Sequence, residues 1–232
     1  MVSFYKSTLV FFSFICTVGI ASAQPSEPAD PLKRYLDAFG KTLLYHGKQY
    51  VVFPSNTTGH QGYKTNSLTE GCTIRFQGLI FGDIPLMYDL VRDEVVTRHP
   101  DRFLPMILSR EFVSLFTIEA DTFVHLKAEN TGLPSGYYHQ LFHARDVSCY
   151  AKRSKTIKTY NLDLESTYVE YVRFYIKESS DSAFRPIRNQ RALLNTYSDK
   201  KRELRRLLHA NGLSFRQDPE QTITFVLTYV TD

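Results

Sequence analysis

Between Thr73 and Val96 the chain reads "TIRFQGLIFGDIPLMYDLVRDEVV", and the breaks between its alternating apolar runs are barely long enough for tight turns. Parallel strands need a crossover of about a dozen residues or more, whereas antiparallel strands close through short turns. This stretch therefore folds as consecutive antiparallel strands. Thr73–Phe76 is the first, and Gln77-Gly78 is a turn in which Gly tolerates a positive φ. Leu79 and Phe81 share a face. Past Gly82-Asp83 the apolar set moves to Ile84, Leu86, Tyr88 and Leu90, a slip of one position that marks a bulge or bend. Pro85 lacks a backbone donor and places this strand at an edge or beside that bulge. Arg92-Asp93 is the next turn, and "EVVTRH" returns from Glu94 to His99.

The same pattern recurs in "RFLPMIL" (Arg102–Leu108), "FVSLFTI" (Phe112–Ile118), "TFVHLKA" (Thr122–Ala128), "YYHQLF" (Tyr137–Phe142), "VSCYAKR" (Val147–Arg153), "YVEYVRFYIK" (Tyr168–Lys177) and "FRPIR" (Phe184–Arg188). Upstream, "LLYHGKQYVVF" (Leu43–Phe53) reads as two strands around His46-Gly47, preceded by a short helical turn in "LKRYLDAF". With 15 Tyr and 17 Phe, the composition favours strands. A sheet of so many short strands must curl, close into a barrel or split into a sandwich.

Only the last forty or so residues change period. Asn189 caps "QRALLNTY"; Ser198 caps "DKKRELRRLLHA", which Asn211-Gly212 ends. Asp218 precedes Pro219, with Gln221 in the capping-box place. Leu204, Leu207 and Leu208 form one apolar stripe, and Ile223, Val226, Leu227 and Val230 another. The expected fold is α+β: a mainly antiparallel β meander, as a curled sheet, sandwich or open barrel, with a short helical C-terminal unit. The expected divisions are a signal peptide over 1–23, a β body over 24–188 and the helical unit over 189–232.

The leader reading rests on one early cation, Lys6, an apolar run from about Thr8 to Ile20, and Ala21-Ser22-Ala23 before Gln24. The run is shorter than the roughly 20 apolar residues a membrane helix needs. Cleavage removes 23 of the 232 residues and takes the formal charge from +4 to +3 by the loss of Lys6. So mild a balance predicts no nucleic-acid partner. Two cysteines remain, Cys72 and Cys149, each sharing a strand face with apolar neighbours. In an exported chain such a pair either forms a disulfide or sits as two separate buried thiols.

The chain shows little catalytic chemistry. Asp93 and Glu94 fall at a hairpin tip, where acids are ordinary solvated turn residues. Asp89 points away from Tyr88 and Leu90. None of the three is expected to be catalytic. His139 and His143 share a strand face about 13 Å apart, at about 3.3 Å per residue, too far for one ion. His46, His60, His99, His125 and His209 stand alone. No nucleophile signature, phosphate loop or dinucleotide fingerprint appears, and no cofactor or metal site is expected. Two basic stretches remain, "KRSKTIK" (Lys152–Lys158) and the face of the Ser198 helix carrying Lys201, Arg202, Arg205 and Arg206. These are a solvated loop and helix face, or a docking surface for anionic lipid or an acidic partner.

The succession "LLYHGKQYVVF", "GLIFGDIPLMYDLVRDEVV", "GYYHQLFHARDVSCYAKRSKTI" and "LLNTYSDKKRELRRLLHANGLSFRQDPEQTI" resembles a group of exported β-rich proteins of Gram-negative bacteria. They share a G-x-x-Y-x-x-(V/I)-P-L-x-Y-D-L strand and a closing Lys/Arg-rich helical piece. The likeness covers most of the mature chain; Phe81 stands in the Tyr place, and "HARD" replaces an Asp-Gly turn. The resemblance implies export and a β-rich body, and it carries no reaction and no catalytic residues.

The expectation is an exported protein, periplasmic, at the cell surface or secreted, acting as a non-catalytic binding or accessory module toward an envelope protein or lipid. A carrier of an apolar ligand is one alternative, marked by an enclosed apolar cavity. A hydrolase with a dispersed site is another, marked by a cleft joining His to Asp or Glu. N-terminal sequencing of the exported protein is expected to begin at Gln24; a start at Met1, or lipid on Cys16, overturns the leader reading.

Overall fold

The computed structural model describes residues 44–52, 57–99, 101, 104–159 and 166–231. The leader over 1–23 and the helical turn in "LKRYLDAF" lie outside the described residues. Twelve strands follow one another: β1 Lys48–Gln49, β2 Thr57–Thr58, β3 Thr69–Phe76, β4 Leu79–Asp89, β5 Glu94–Arg98, β6 Pro105–Ile107, β7 Val113–Ile118, β8 Asp121–Leu126, β9 Gly136–His143, β10 Val147–Thr159, β11 Ser166–Glu178 and β12 Arg185–Ile187. A four-residue helix, α1 (Ala128–Thr131), sits between β8 and β9. The chain ends in α2 (Gln190–Thr196), α3 (Lys201–Ala210) and α4 (Pro219–Thr231).

The strands form one sheet in the order β1-β6-β5-β4-β3-β7-β8-β9-β10-β11-β12, antiparallel throughout except where β2 joins β11 in parallel. The fold is α+β, with a curled, unclosed sheet. The order departs from a simple meander at one point, because β7 pairs with β3 and not with β6. From Ile107 to Val113 the six residue steps reach at most about 20 Å. They bridge strands that lie four spacings apart along the sheet, and the curl shortens the direct path. The connection includes a turn, in which the Phe112 amide donates to the Ser109 carbonyl at 3.1 Å, and it carries Leu108 into the core. At the other end of the curl, the Lys155 amide on β10 donates to the Leu90 carbonyl in the β4–β5 turn at 2.9 Å.

Local chemistry explains the elements. Gln77 and Gly78 both take positive φ, 49° and 83°, closing the β3–β4 hairpin in the primed turn that matches strand twist. The slip at Gly82-Asp83 is a bulge: Cys72 faces Ile84 but Ile74 faces Phe81, and Asp83 carries the positive φ of 57°. Pro85 lies beside this bulge in a strand flanked by β3 and β5, not at an edge. The next turn spans Leu90–Asp93 and is longer than the expected Arg92-Asp93. Leu44 is helical and not part of a strand, and only Lys48–Gln49 pairs with β6.

The two faces of the sheet build two main cores. Inside the curl, Phe116 and Phe123 stack with centroids 5.0 Å apart, and Tyr88 meets both edge-on. Outside it, α2, α3 and α4 cover the β9–β12 end: Leu193, Leu194, Leu204, Leu208, Ile223, Val226 and Leu227 pack with Val147, Cys149, Phe174 and Ile176. Cys72 belongs to the first core and Cys149 to the second. Both are free thiols, and burial raises both, Cys149 to about 12.

The helix signals are mostly local. Asn189 Oδ1 accepts from the Ala192 amide at 2.9 Å, and Asp218 Oδ1 from the Gln221 amide at 2.9 Å. Gly212 takes the left-handed conformation after α3, with the Leu213 amide returning to the Leu208 carbonyl. Ser198 does not cap α3; residues 198–200 stay in a turn and the helix starts at Lys201. Leu207 is only half-buried, so Leu204 and Leu208 carry the α3 stripe. Leu208→Ala is expected to lower the unfolding free energy by about 2–5 kcal/mol. Arg205→Ala should stay within about 0.5 kcal/mol of the parent. Urea denaturation of both variants checks this, and equal midpoints would show that α3 is a loose appendage.

Candidate functional site

Asp93 ends the β4–β5 turn with a positive φ of 58°, which directs its side chain inward. Its carboxylate accepts from the Tyr88 hydroxyl at 2.5 Å, the Lys152 ammonium at 2.9 Å and the Tyr137 amide at 3.4 Å. Lys152 also donates to the Tyr137 carbonyl at 2.9 Å. Arg110 Nη2 lies 3.8 Å from the carboxylate and donates to the backbone oxygens of Arg92 and Asp93. One acid thus ties the β4–β5 turn to β9, β10 and the β6–β7 connection. Burial lowers the Lys152 pKa although Asp93 opposes it, and burial holds the Tyr88 phenol well above its ordinary value. Gly136 is required beside this clamp: at φ 150° a Cβ there would collide with the Asp93 carboxylate and the Lys152 ammonium.

Against the clamp opens a cleft of about 640 Å³. Its walls come from Lys48 on β1, Glu94 on β5, the β6–β7 connection from Ile107 to Glu111, His125 on β8, Lys127 and Glu129 beside and within α1, and Ser135 and Tyr137 at β9. The curl of the sheet brings these strands together across the interior. Three buried polar atoms on the cleft residues have no hydrogen-bond partner among the described residues: Glu94 Oε2, His125 Nε2 and the Tyr137 hydroxyl. The His125 and Tyr137 rings touch at 5.2 Å between centroids. Burial raises the Glu94 carboxyl, lowers the His125 imidazole with help from Arg110, and pushes the Tyr137 phenol up.

No known family, curated protein or solved structure matches this chain. The site is therefore read from its own geometry.

The three acids of the opening stretch separate into different environments, and none is an ordinary solvated turn residue. Asp89 does point away from Tyr88, but that face is covered. Asp89 is 0% exposed and accepts from the Tyr50 hydroxyl at 2.8 Å and the amides of Val91 and Arg92. Gln61 in turn donates to Tyr50. Asp93 is the clamp, and Glu94 lines the cleft. The hairpin tip is folded in against β9 and β10, which leaves Asp93 and Glu94 only partly exposed.

His139 and His143 do not act together. A register shift opposite Cys149/Tyr150 breaks the strand phase, leaving His139 buried and His143 exposed. His139 Nε2 lies 3.3 Å from Asp121, which also accepts from Tyr63 at 2.8 Å and pairs with Lys64. Arg153 packs against the other ring nitrogen and pairs with Glu170 and with Glu220 on α4. Burial, then Arg153, pulls His139 down to about 4. Burial would raise Asp121, but hydrogen bonds from Lys64 and Tyr63 outweigh it and hold the carboxyl below its ordinary value. This network joins α4 to the sheet. Among the described residues no group of three or more His, Cys, Asp or Glu residues could hold a metal ion. On α3, Arg202, Arg205 and Arg206 are exposed, Lys201 is half-buried and donates to Asn195, and none of the four forms an ion pair among the described residues.

The folded pKa of His139 lies below its ordinary 6.5. As pH falls, the unfolded chain therefore takes up this proton first. The stability is full above about pH 6.5 and is lost between there and about pH 4. The loss is expected to be about 2–3 kcal/mol. Urea denaturation at pH 7 and pH 4.5 should show a smaller fall for His139→Gln than for the parent. His60 and His125, also lowered, leave a residual slope of the same sign. Equal falls would remove His139 as the main acid-sensitive group.

Proposed function

We propose that the protein is an exported, non-catalytic binding module whose ligand occupies the cleft bounded by Glu94, Arg110, His125 and Tyr137. The observation that carries this reading is the cleft itself, about 640 Å³, which opens beside the Asp93 clamp with charged walls from Lys48, Glu94, Arg110, Lys127 and Glu129. A concave site with a few convergent polar groups is the usual form of a small-molecule site.

The alternatives find less support. A lipid carrier calls for a hollow apolar interior, and the inside of the curl is filled by Tyr88, Phe116, Phe123 and Tyr137 packed ring against ring. A hydrolase calls for a base oriented by a third group. In the cleft, Glu94 Oε2 and His125 Nε2 do not hydrogen-bond each other. His139 does meet Asp121, but it is enclosed by Phe123, Tyr63 and Arg153.

Native mass spectrometry of the protein purified from its own envelope tests the reading. A small molecule should accompany the parent and be reduced in Glu94→Gln. Tyr137→Phe deletes a buried hydroxyl that no group among the described residues satisfies, so its unfolding free energy should rise by about 1–3 kcal/mol. A fall of that size would mean that the hydroxyl is satisfied within the fold, and a parent that carries no small molecule overturns the binding reading.

A further inference from the structure

The charge of this chain is unevenly placed. Residues 188–216 carry eight Lys and Arg side chains against two acids, Asp199 and Glu203. That segment alone holds +6 in a chain whose formal total is +4, so everything outside it sums to −2. Within the segment the cations collect on α3. Arg202, Arg205, Arg206 and His209 follow the spacing i, i+3, i+4, i+7, which is one face of a helix, and all four are exposed. Lys201 precedes Arg205 by one turn, and Lys200 lies 5.9 Å from the ring of Tyr229 on α4.

The fold does not use these charges. Arg202, Arg205 and Arg206 form no ion pair among the described residues. Glu203 is the one acid on α3, and it accepts from the Tyr229 hydroxyl at 2.7 Å. Like charges three and four residues apart on a helix repel, so the stripe weakens α3 rather than supporting it. Leu204 and Leu208 hold the other side of the helix in the core and leave the basic face outward.

What fits such a face is set by its charge and by what it lacks. A stable protein partner needs an apolar centre, rich in aromatic side chains, inside a polar rim. On the helical unit the only exposed large apolar side chain among the described residues is Tyr229. Bilayer headgroups ask for less. Their phosphates move laterally to meet any spacing of cations, and guanidinium forks match phosphate oxygens. An exposed Tyr beside the cations suits the headgroup level. The negative balance of the remaining chain turns the helical unit toward an anionic surface and the rest of the molecule away from it.

We propose that α3 docks the protein on an anionic phospholipid surface, with Arg202, Arg205 and Arg206 on the headgroup phosphates. This surface is separate from the cleft, whose lining includes no residue of the helical unit.

The test floats the full mature protein with vesicles of phosphatidylcholine alone and of phosphatidylcholine mixed with phosphatidylglycerol. The mixed vesicles should carry it at low ionic strength and release it as salt is raised, and the pure ones should not carry it. One Lys or Arg near such a surface changes partitioning about fivefold. Arg205→Gln should therefore weaken binding about fivefold, and the combination of Arg202→Gln, Arg205→Gln and Arg206→Gln about 100-fold, with the melting temperature unchanged in both. Arg75→Gln removes an exposed cation from β3 and should bind as the parent does. Polyglutamate and a DNA duplex serve as soluble polyanions. Binding to either one that the triple variant loses, without a preference for the anionic vesicles, overturns the lipid and leaves the basic face as the site. Equal binding by the triple variant and the parent, or no binding to any probe, overturns the face itself.

Discussion

The structure depends on the part-buried charge pair between Asp93 and Lys152. A long antiparallel sheet twists but does not by itself choose where to stop curling. Here the stopping point is set by a single carboxylate that reaches from the β4–β5 turn to β9 and β10. Taking two charges out of water is costly, and removing one partner alone leaves the other stranded. The Tyr88 hydroxyl and the Tyr137 amide offset that cost by filling the remaining acceptor sites. The arrangement is specific: β10 arrives in one register, with Lys155 bonded to Leu90, and no neighbouring register places Lys152 at the acid.

The cleft sits next to that seam. Tyr137 belongs to the clamp through its backbone and to the aromatic core behind the cleft through its ring, so that core is positioned by the bonds that close the curl. Arg110 plays the same double part on the β6–β7 connection. The helical unit does different work. It covers the outer face of β9–β11 with leucines and, through Glu220 and Arg153, reaches the His139 network.

What could be read from the sequence was local. The bulge at Gly82-Asp83, the turn at Gln77-Gly78 and the caps at Asn189 and Asp218 each depend on a few neighbouring residues, and those residues are diagnostic. Ser198 looked equally diagnostic as a cap, but it is occupied by the turn that links α2 to α3. The cleft was not legible. Glu94, Arg110, His125 and Tyr137 lie on four different segments, and only the curl brings them together. His125 looked isolated, and nothing in "TFVHLKA" distinguishes a strand histidine facing a cleft from one facing water. Asp93 was misread for the same reason. A tip acid is solvated unless the tip folds back on the sheet, which is a fact about the whole chain.

The connection between Ile107 and Val113 has a consequence for how a protein of this kind can vary. It seals the core with Leu108 and walls the cleft with Ser109, Arg110 and Glu111. It folds through a turn closed by the Phe112 amide on the Ser109 carbonyl, so removing a residue would break that turn. Lengthening is different. Added residues would bow outward at the mouth while both strands kept their partners, and the opening would widen with the sheet unchanged. The segment acts as an adjustable sill, where the opening can change in size at small cost to the fold.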